Sequence, residues 1–311
     1  MGMLTEYYLQ PDAPDPVLSA GEALRCARRF VSSAKAVTAI DESGGEARTY
    51  IIDDALVLKV QRPQQVRVGT SLAREVFFLN QLADVAADLP VPRVLGYARE
   101  TQLLEYNLQT RMPGVAVEHA TLSAERRTAA IFAVGRFLRR LHALAQKPFR
   151  DSAHFPTDHT AAELKVRLDA YFYVLSGRLT ADARPWPLQI PLAGVRERAL
   201  AALPESAELV ALHSNPGPPH AFVDPDTGRF NGLIDFGDAY ISHPTLDLWR
   251  WRWPAERAAA LAGYVADAPV SDDFMQAWKA VGMLADVLLI AYFPDRCEEA
   301  VRALTRSLHE L

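Results

Sequence analysis

The sequence has 311 residues, half of them hydrophobic, so it is long enough to bury a large core in one domain or two lobes. Its 33 basic and 38 acidic side chains leave a formal net charge of −5, without the positive surplus that holds a nucleic acid backbone. The most apolar late run, Met283–Phe293, is only about half as long as a membrane span and contains Asp286. We therefore expect a buried helix there, and no nucleic acid or membrane partner.

The cysteines and the N-terminus indicate the compartment. Cys26 and Cys297 form no C-x-x-C pair, and the first residues lack a basic region followed by an apolar core. Isolated cysteines are typical of proteins kept in a reducing environment. We expect a cytoplasmic protein without a secretory signal, in which both thiols are buried.

The first part of the chain has strand patterns and one helical pattern. Short aliphatic and β-branched runs at 49–52 and 56–60 predict a β-hairpin. Leucine and valine residues at helical spacing predict an amphipathic helix over 71–82, and further apolar runs at 93–97 and 103–112 predict strands. Proline and glycine follow these strands directly, so we expect a lobe boundary near residue 110.

After residue 110 the pattern becomes helical. The apolar face over 124–144, preceded by Ser123 as a cap, predicts a long helix. Helical patterns recur over 161–175 and from Pro254 to the end, interrupted by the loop-rich segment 209–238. We therefore expect two lobes, 1–110 and 111–311.

The loop-rich segment contains LHSNPGPPH at 212–220 and IDFGD at 234–238. The short apolar runs between them flank a turn with proline and glycine, which predicts an antiparallel hairpin. If the turn centres on residues 227 and 228, His220 lies opposite Asp235 at the open end of this hairpin. Two polar segments then converge on one edge, which favours a functional site over a surface loop.

A carboxylate and an ammonium group in the first lobe form a second candidate pair. Glu75 falls on the apolar side of its predicted helix, where a carboxylate needs a partner. Lys59 alternates with Leu58 and Val60 in a predicted strand and could extend toward that helix. Both could equally be solvated boundary residues, because long charged side chains often reach water from an apolar stripe.

The order of these motifs along the chain resembles that of the protein-kinase-like fold. In both, a lysine on an early strand is followed by a glutamate on the next helix, then by a loop that here reads H-x-N, and then by a D-F-G segment. The chain most closely resembles its aminoglycoside phosphotransferase branch, whose loop H-G-D-x-x-x-x-N compares with residues 213–220 here. The segment 232–238, GLIDFGD, is similar to the metal motif of that family, and 135–144 is similar to its helix after the hinge. HPTLDL at 243–248 is similar to a segment whose second acid, here Asp247, braces the catalytic loop.

The resemblance covers roughly residues 35–255 and implies an α+β, bilobal protein-kinase-like fold with a small β-rich N-lobe and a larger, mostly helical C-lobe. It implies that the N-lobe binds ATP or GTP and that a small-molecule alcohol lies against the C-lobe as acceptor. It further implies that Lys59 holds the α and β phosphates, that Glu75 orients Lys59, and that Asp235 binds Mg²⁺.

The remaining residues are assigned by the same resemblance. The implied catalytic residues are His213, Asn215, Asp235 and Asp238. His220 is the second implied metal-binding residue. A weaker signal is the turn before the first hairpin, in which backbone N–H groups could approach phosphate; it consists of Ser43, Gly44 and Gly45.

Two residues depart from the family pattern. Asn215 replaces an aspartate, and an amide cannot accept the proton of an attacking hydroxyl, so Asp238 is an alternative acceptor. General-base assistance contributes about 10²–10⁴-fold, so its loss predicts slower transfer without abolishing it. His220 replaces an asparagine, although Mg²⁺ prefers oxygen ligands; macrolide phosphotransferases resemble this chain in that histidine.

Three functions remain open on the sequence. The first is an ATP-dependent phosphotransferase acting on a hydroxyl of a small molecule. The second is a catalytically silent kinase-fold protein that binds nucleotide or a small ligand, for which Asn215 is the main support. The third is a metal-assisted hydrolase using His213, His220 and Asp235, although the sequence contains neither H-E-x-x-H nor G-x-S-x-G.

The C-lobe offers aromatic residues instead of one dense acidic cluster. Most of them should belong to the core, but any that line the cleft would favour a partly apolar alcohol over a polycationic sugar. They are Trp249, Trp251, Trp253, Trp278, Tyr292 and Phe293.

Overall fold

The computed structural model describes residues 8–67, 69–155, 161–182, 185–205 and 209–310. The first seven residues, which contribute to the predicted absence of a secretory signal, lie outside this part of the chain. A five-stranded antiparallel sheet forms the N-terminal part, and helices dominate the rest. The predicted α+β class with a kinase-like arrangement is thereby confirmed.

The strands and helices are numbered in chain order. The strands are β1 (Val37–Asp41), β2 (Ala47–Ile52), β3 (Leu56–Gln61), β4 (Val94–Arg99), β5 (Glu105–Thr110), β6 (Val115–Ala116), β7 (Val210–Leu212), β8 (Ala221–Val223), β9 (Phe230–Leu233) and β10 (Tyr240–Ser242). The helices are α1 (Ala20–Arg28), α2 (Leu72–Val85), α3 (Ala124–His142), α4 (Lys147–Arg150), α5 (Ala161–Ala181), α6 (Leu192–Ala201), α7 (Thr245–Leu248), α8 (Pro254–Tyr264), α9 (Asp272–Tyr292) and α10 (Glu298–His309).

The N-terminal sheet has the strand order β1-β2-β3-β5-β4. The predicted hairpin is β2-β3, and its turn residues Asp53 and Asp54 have φ values of 51° and 57°, a left-handed conformation that aspartate tolerates. The central strand β3 places Lys59 between Thr49 of β2 and Asn107 of β5. Lys59 is therefore held on both sides by strand pairing.

Helix α2 joins the sheet to the helical part. The Ser71 hydroxyl accepts a hydrogen bond from the Arg74 N–H at 3.0 Å, which caps the helix at its first turn. Phe78 and Leu82 are fully buried on the face toward the C-terminal core. Because Glu75 lies one turn before Leu79 on the same side, α2 presents this carboxylate to the interior.

Helices α3 and α8 cross at very close range. A Cβ atom added to Gly135 would lie 2.0 Å from the Ala260 carbonyl oxygen, and one added to Gly263 would lie 1.9 Å from the Phe132 carbonyl oxygen. Glycine is thus required on both helices at the crossing. This contact fixes α3, the long helix predicted over 124–144, beneath the segments that form the site.

The late helical pattern consists of the three helices α8, α9 and α10. Helix α9 is long and apolar enough to cross a membrane by composition, but 67% of its most apolar window is buried inside the fold. Asp286 is buried within it and pairs with Arg257 of α8. The apolar run predicted to be a buried helix is therefore part of a longer core helix.

The β8-β9 hairpin forms as predicted, but its register near the site differs by one residue. Val223 pairs with Phe230, whereas Phe222 pairs with Gly232, so Asn231 is an extra residue that shifts the pairing. The backbone N–H that donates to the His220 carbonyl oxygen, at 3.1 Å, is consequently that of residue 234. The prediction that His220 lies opposite Asp235 was wrong in strand register.

Candidate active site

Lys59 lies at the centre of a cluster formed by distant parts of the chain. Its Nζ donates a hydrogen bond to Glu75 Oε1 and another to Asp235 Oδ1, each at 2.8 Å. The Lys59 and Glu75 side chains are 11% and 0% exposed, whereas that of Asp235 is 45% exposed. The structure thus brings together the lysine of β3, the glutamate of α2 and the aspartate that follows β9.

The charges in this cluster stabilise one another. Burial lowers the pKa of Lys59, but the Asp235 and Glu75 carboxylates outweigh it and hold that pKa above its ordinary value. Burial likewise raises the pKa of Asp235, and the Lys59 ammonium, with a smaller effect from His220, reverses this and holds that pKa well below its usual range. Asn107 Nδ2 donates to the second Glu75 oxygen at 3.3 Å. Lys59 and Asp235 are therefore both ionised at neutral pH.

Asp247 lies beneath the turn that contains the H-x-N motif. Its Oδ2 accepts from the backbone N–H of His213 at 2.8 Å, and its Oδ1 accepts from that of Ser214 at 2.7 Å. His142 Nε2 lies 3.0 Å from Asp247 Oδ2, and Asp247 is fully buried. The buried carboxylate therefore holds two consecutive backbone amides of the turn in place.

His213 is fully buried and both of its ring nitrogens contact backbone groups. Nδ1 accepts from the N–H of Asn215 at 3.2 Å, so Nε2 holds the ring proton and donates it to the Ile234 carbonyl oxygen at 2.9 Å. Burial lowers the pKa of His213 to about 4, which keeps the ring neutral at pH 7. The ring therefore connects the H-x-N loop to the segment preceding Asp235.

His220 and Asn215 lie on the open side of the same loop. His220 Nδ1 donates to the Asn215 carbonyl oxygen at 2.8 Å, and its Nε2 lies 3.4 Å from Asp235 Oδ2. Asp235 has a φ of 71°, so its side chain reaches His220 in spite of the register shift. The partly exposed Asn215 amide forms no hydrogen bond with residues that the structure describes, and is thus available to a ligand.

Asp238 is held by a residue that the sequence did not single out. Arg67 Nη2 lies 3.0 Å from Asp238 Oδ1 and 3.2 Å from Oδ2, and the same guanidinium pairs with Glu46. Burial, together with Asp238, raises the pKa of Glu46 to about 7, although Arg67 opposes this. Neither Arg67 nor Glu46 belongs to a periodic pattern or a motif, so no signal in a single sequence would have identified the pair.

The predicted phosphate loop, residues 43–45, connects β1 and β2. The Gly44 carbonyl oxygen accepts from Arg62 Nη1 at 2.8 Å, and a Cβ atom on Gly44 would lie 2.7 Å from the Ala47 carbonyl oxygen. Glycine is thus needed at the tightest point of this turn. Binding of phosphate by its backbone N–H groups, including those of Ser43 and Gly45, stays a prediction.

A bound metal ion would have few protein ligands. Within the described ranges, no group of three or more His, Cys, Asp or Glu side chains could hold a metal ion. The two predicted metal-binding side chains approach each other, with Asp235 Oδ2 3.4 Å from His220 Nε2. Mg²⁺ is often bound by one or two carboxylates and completes its shell with water and substrate phosphates. The Asp235 carboxylate fits that role when a phosphate is bound, whereas the imidazole is a poorer ligand.

Several solved structures of similar fold are phosphotransferases. The streptomycin–ATP ternary complex of APH(2″)-IIa is 16% identical with a TM-score of 0.55, and covers 94% of this chain and 97% of its own. The ADP-bound aminoglycoside phosphotransferase APH(2″)-Ib is 15% identical with a TM-score of 0.58, covering 92% and 96%. The apoenzyme of macrolide 2′-phosphotransferase MphH from Brachybacterium faecium is 19% identical with a TM-score of 0.56, covering 91% and 96%. At these identities the similarity shows the fold.

The sequence itself establishes the family. No curated protein matches the chain. The sequence model of the phosphotransferase enzyme family, however, matches residues 37–281, which include β1, the Lys59 cluster, the H-x-N loop and the first half of α9. This range spans the resemblance noted from the motifs alone and extends it toward the C-terminus. The chain therefore belongs to the phosphotransferase enzyme family.

Proposed function

We propose that this protein transfers the γ-phosphoryl group of ATP or GTP to a hydroxyl group of a small molecule. One observation supports this above all: the Lys59 ammonium lies 2.8 Å from both Glu75 and Asp235, which come from separate parts of the chain. An ionised lysine and a half-exposed carboxylate at one cleft are the groups needed to bind a polyphosphate and its cation. Solved structures of similar fold include complexes with ATP and ADP.

At the nucleotide end, Lys59 would bind the phosphates. Glu75 would keep the Lys59 ammonium group directed into the cleft. Glu75 is suited to this because it is fully buried and Asn107 satisfies its second oxygen. Asp235 would hold Mg²⁺, which neutralises charge on the phosphate oxygens. In the ligand-free arrangement Lys59 and Asp235 neutralise each other, so nucleotide binding exchanges this contact for contacts to phosphate and metal.

At the acceptor end, the partly exposed Asn215 amide would orient the attacking hydroxyl. The acceptor oxygen forms a bond to the γ-phosphorus while the bond from that phosphorus to the β–γ bridging oxygen breaks, and ADP or GDP leaves. The hydroxyl proton passes to solvent or to a carboxylate. A loose transition state needs little base assistance, since the proton is transferred late. Asp238 could accept the proton only after releasing Arg67.

The position of His213 argues against a metal-assisted hydrolase. Both ring nitrogens are engaged with backbone groups, at 3.2 and 2.9 Å, so neither is available to a metal ion. Because it is buried, this histidine is better suited to position Asn215. The silent, ligand-binding alternative retains one specific observation in its favour, which is the asparagine at position 215 where its family has an aspartate.

The experiment that tests the proposal combines ligand binding with turnover. Thermal unfolding is first measured with ATP or GTP in the presence of Mg²⁺, and then γ-labelled nucleotide is incubated with a panel of small alcohols. Stabilisation by nucleotide together with a labelled, acceptor-dependent product is the expected result. Stabilisation without transfer to any acceptor would favour the silent alternative. Absence of nucleotide binding would overturn the proposal and would leave only the silent alternative in which a small ligand other than nucleotide binds.

A further inference from the structure

The segment between α7 and α8 lies directly against the H-x-N loop. A Cβ atom on Gly217 would be 3.2 Å from the Arg250 carbonyl oxygen, 3.6 Å from Arg250 Cβ and 3.8 Å from Asn215 Oδ1. The side chain of Arg250 therefore begins within a few ångströms of the loop that presents Asn215. A molecule whose hydroxyl reaches Asn215 could therefore extend toward this arginine.

A second arginine reaches the same region from α5. The Arg167 guanidinium lies 4.4 Å from the ring centroid of Tyr240, in the strand that pairs with the one leading into the H-x-N loop. Burial raises the pKa of Tyr240 to about 12, and the positive charges of Arg167 and Arg250 both oppose that rise. Two positive charges thus converge on one side of the loop.

Neither guanidinium has a carboxylate partner among the residues that the structure describes. Several other arginines of the C-terminal part, such as Arg127 and Arg257, are paired with an acid. The Arg250 Nε atom is buried and has no hydrogen-bond partner in the same set of residues. A buried donor without a partner is costly, so the Arg250 guanidinium would gain from a ligand that supplies an acceptor.

Aromatic rings surround these two cations. The Arg250 guanidinium lies 5.3 Å from the centroid of the Trp249 ring, and the Tyr171 and Trp249 rings lie 5.7 Å apart. We name the five residues Arg167, Tyr171, Tyr240, Trp249 and Arg250 the arginine rim. Its faces suit an apolar or aromatic body, and its charges repel a cation.

We propose that the acceptor is an alcohol with an anionic group, a carboxylate or a phosphate, next to an apolar body, and that Arg250 and Arg167 bind this group. The proposal rests on the proposed function, since it takes Asn215 as the residue that meets the hydroxyl. Guanidinium groups form paired hydrogen bonds with planar or tetrahedral oxyanions, which would satisfy Arg250 Nε. The positive rim disfavours a polycationic sugar.

The test uses three alcohols of the same shape that differ in charge: 4-(hydroxymethyl)benzoate, 4-(hydroxymethyl)benzamide and 4-(hydroxymethyl)benzylamine. Binding of each is measured by calorimetry to the full chain saturated with ADP and Mg²⁺, so that the anion cannot occupy the nucleotide site. We expect the carboxylate to bind about tenfold more tightly than the other two. Arg250→Gln and Arg167→Gln should each remove most of that preference. Arg302→Gln, on an exposed part of α10, is the matched control.

The outcomes separate this proposal from the proposed function. If ADP binds but the carboxylate binds no better than the amide, or if both arginine variants keep the preference, the rim is not an anion site. If ADP fails to bind, the three alcohols are titrated into the protein alone; a carboxylate preference that both variants lose would then keep the rim as an anion site while the nucleotide-dependent function is overturned. Unchanged ADP affinity in the two variants would show that their effect is confined to the rim.

Discussion

Asp247 and Ser214 are joined by a hydrogen bond of 2.7 Å between a fully buried carboxylate and a backbone N–H whose residue has a φ of 83°. A non-glycine residue in that region is strained by about 1–3 kcal/mol. The same carboxylate also accepts from the N–H of His213. The strained turn that presents Asn215 therefore depends on one acid from α7.

Replacement of Asp247 should destabilise the turn that presents Asn215. Asp247→Ala leaves two buried N–H groups without an acceptor, and we expect a loss of about 3–5 kcal/mol in the free energy of unfolding. Urea denaturation measures it. Asp267→Asn is the control, because Asp267 pairs with Arg136 on the surface and should change stability by less than about 1 kcal/mol. Equal losses for the two variants would show that Asp247 does not brace the loop.

The crossing of α3 and α8 predicts a sharp difference between two glycines. Gly135→Ala places a methyl group against the Ala260 carbonyl oxygen, and overpacking of this kind costs about 1–3 kcal/mol or more. Gly282→Ala in α9 meets no atom within 4 Å and should stabilise the helix by about 0.5–1 kcal/mol. Thermal unfolding of both variants provides the comparison. A neutral Gly135→Ala would mean that the two helices lie further apart than described.

Because position 215 holds an amide, we expect a substitution there to increase the rate of phosphoryl transfer. Asn215→Asp restores a group able to accept the hydroxyl proton, and we expect phosphoryl transfer to rise by about 10²-fold or more. Asn215→Ala, which removes both the amide and any base, serves as the comparison and should be slower than the parent. Rates are measured with labelled nucleotide and an accepted alcohol. An aspartate variant as inert as the parent with every acceptor would contradict the idea of a merely slowed enzyme.

Two buried histidines predict that stability falls at acidic pH. Burial lowers the pKa of both His213 and His243 to about 4, below the value of about 6.5 in an unfolded chain. Between pH 6.5 and 4 the unfolded state therefore binds more protons, so the free energy of unfolding decreases as the pH falls through this window. Each histidine should contribute a loss of about 2 kcal/mol by pH 5.

Replacement of one histidine isolates its share. His213→Gln lowers stability at every pH, because hydrogen bonds are lost, but its decline between pH 6.5 and 4 should be shallower than that of the parent. Glu46 and Asp286 have raised pKa values and oppose the decline, and their effects cancel in the difference between parent and variant. Urea titrations at several pH values supply the data. Parallel declines would contradict a neutral, buried His213.

The central cluster could be predicted from the sequence because each of its members has a local signal. Glu75 lies on the apolar side of a helix, Lys59 lies in an alternating strand, and Asp235 lies in a motif whose order after the H-x-N loop is informative. The order of the motifs predicted that these three side chains lie together. In the structure, Lys59 lies within hydrogen-bonding distance of both Glu75 and Asp235.

Other features could not be predicted because they depend on tertiary contacts. Strand β1 is mostly exposed and has no apolar alternation. The extra residue Asn231 shifts the β8-β9 register, and nothing in the turn sequence specifies it. Arg67 lies in an irregular segment, and its partner Asp238 is 171 residues away. The predicted boundary between the lobes at residue 110 stays a prediction, and Cys297 is only partly buried, unlike Cys26.

The most direct test of the account is calorimetric titration of ATP with Mg²⁺ into the parent chain and into Lys59→Met and Asp235→Asn. We expect the parent to bind and each variant to bind at least about thirtyfold more weakly, since each loses a charge that would contact phosphate or metal. Lys35→Met, on the exposed surface of the same lobe, should bind like the parent. Equal affinity in all four proteins would contradict the claim that Lys59 and Asp235 form one nucleotide site.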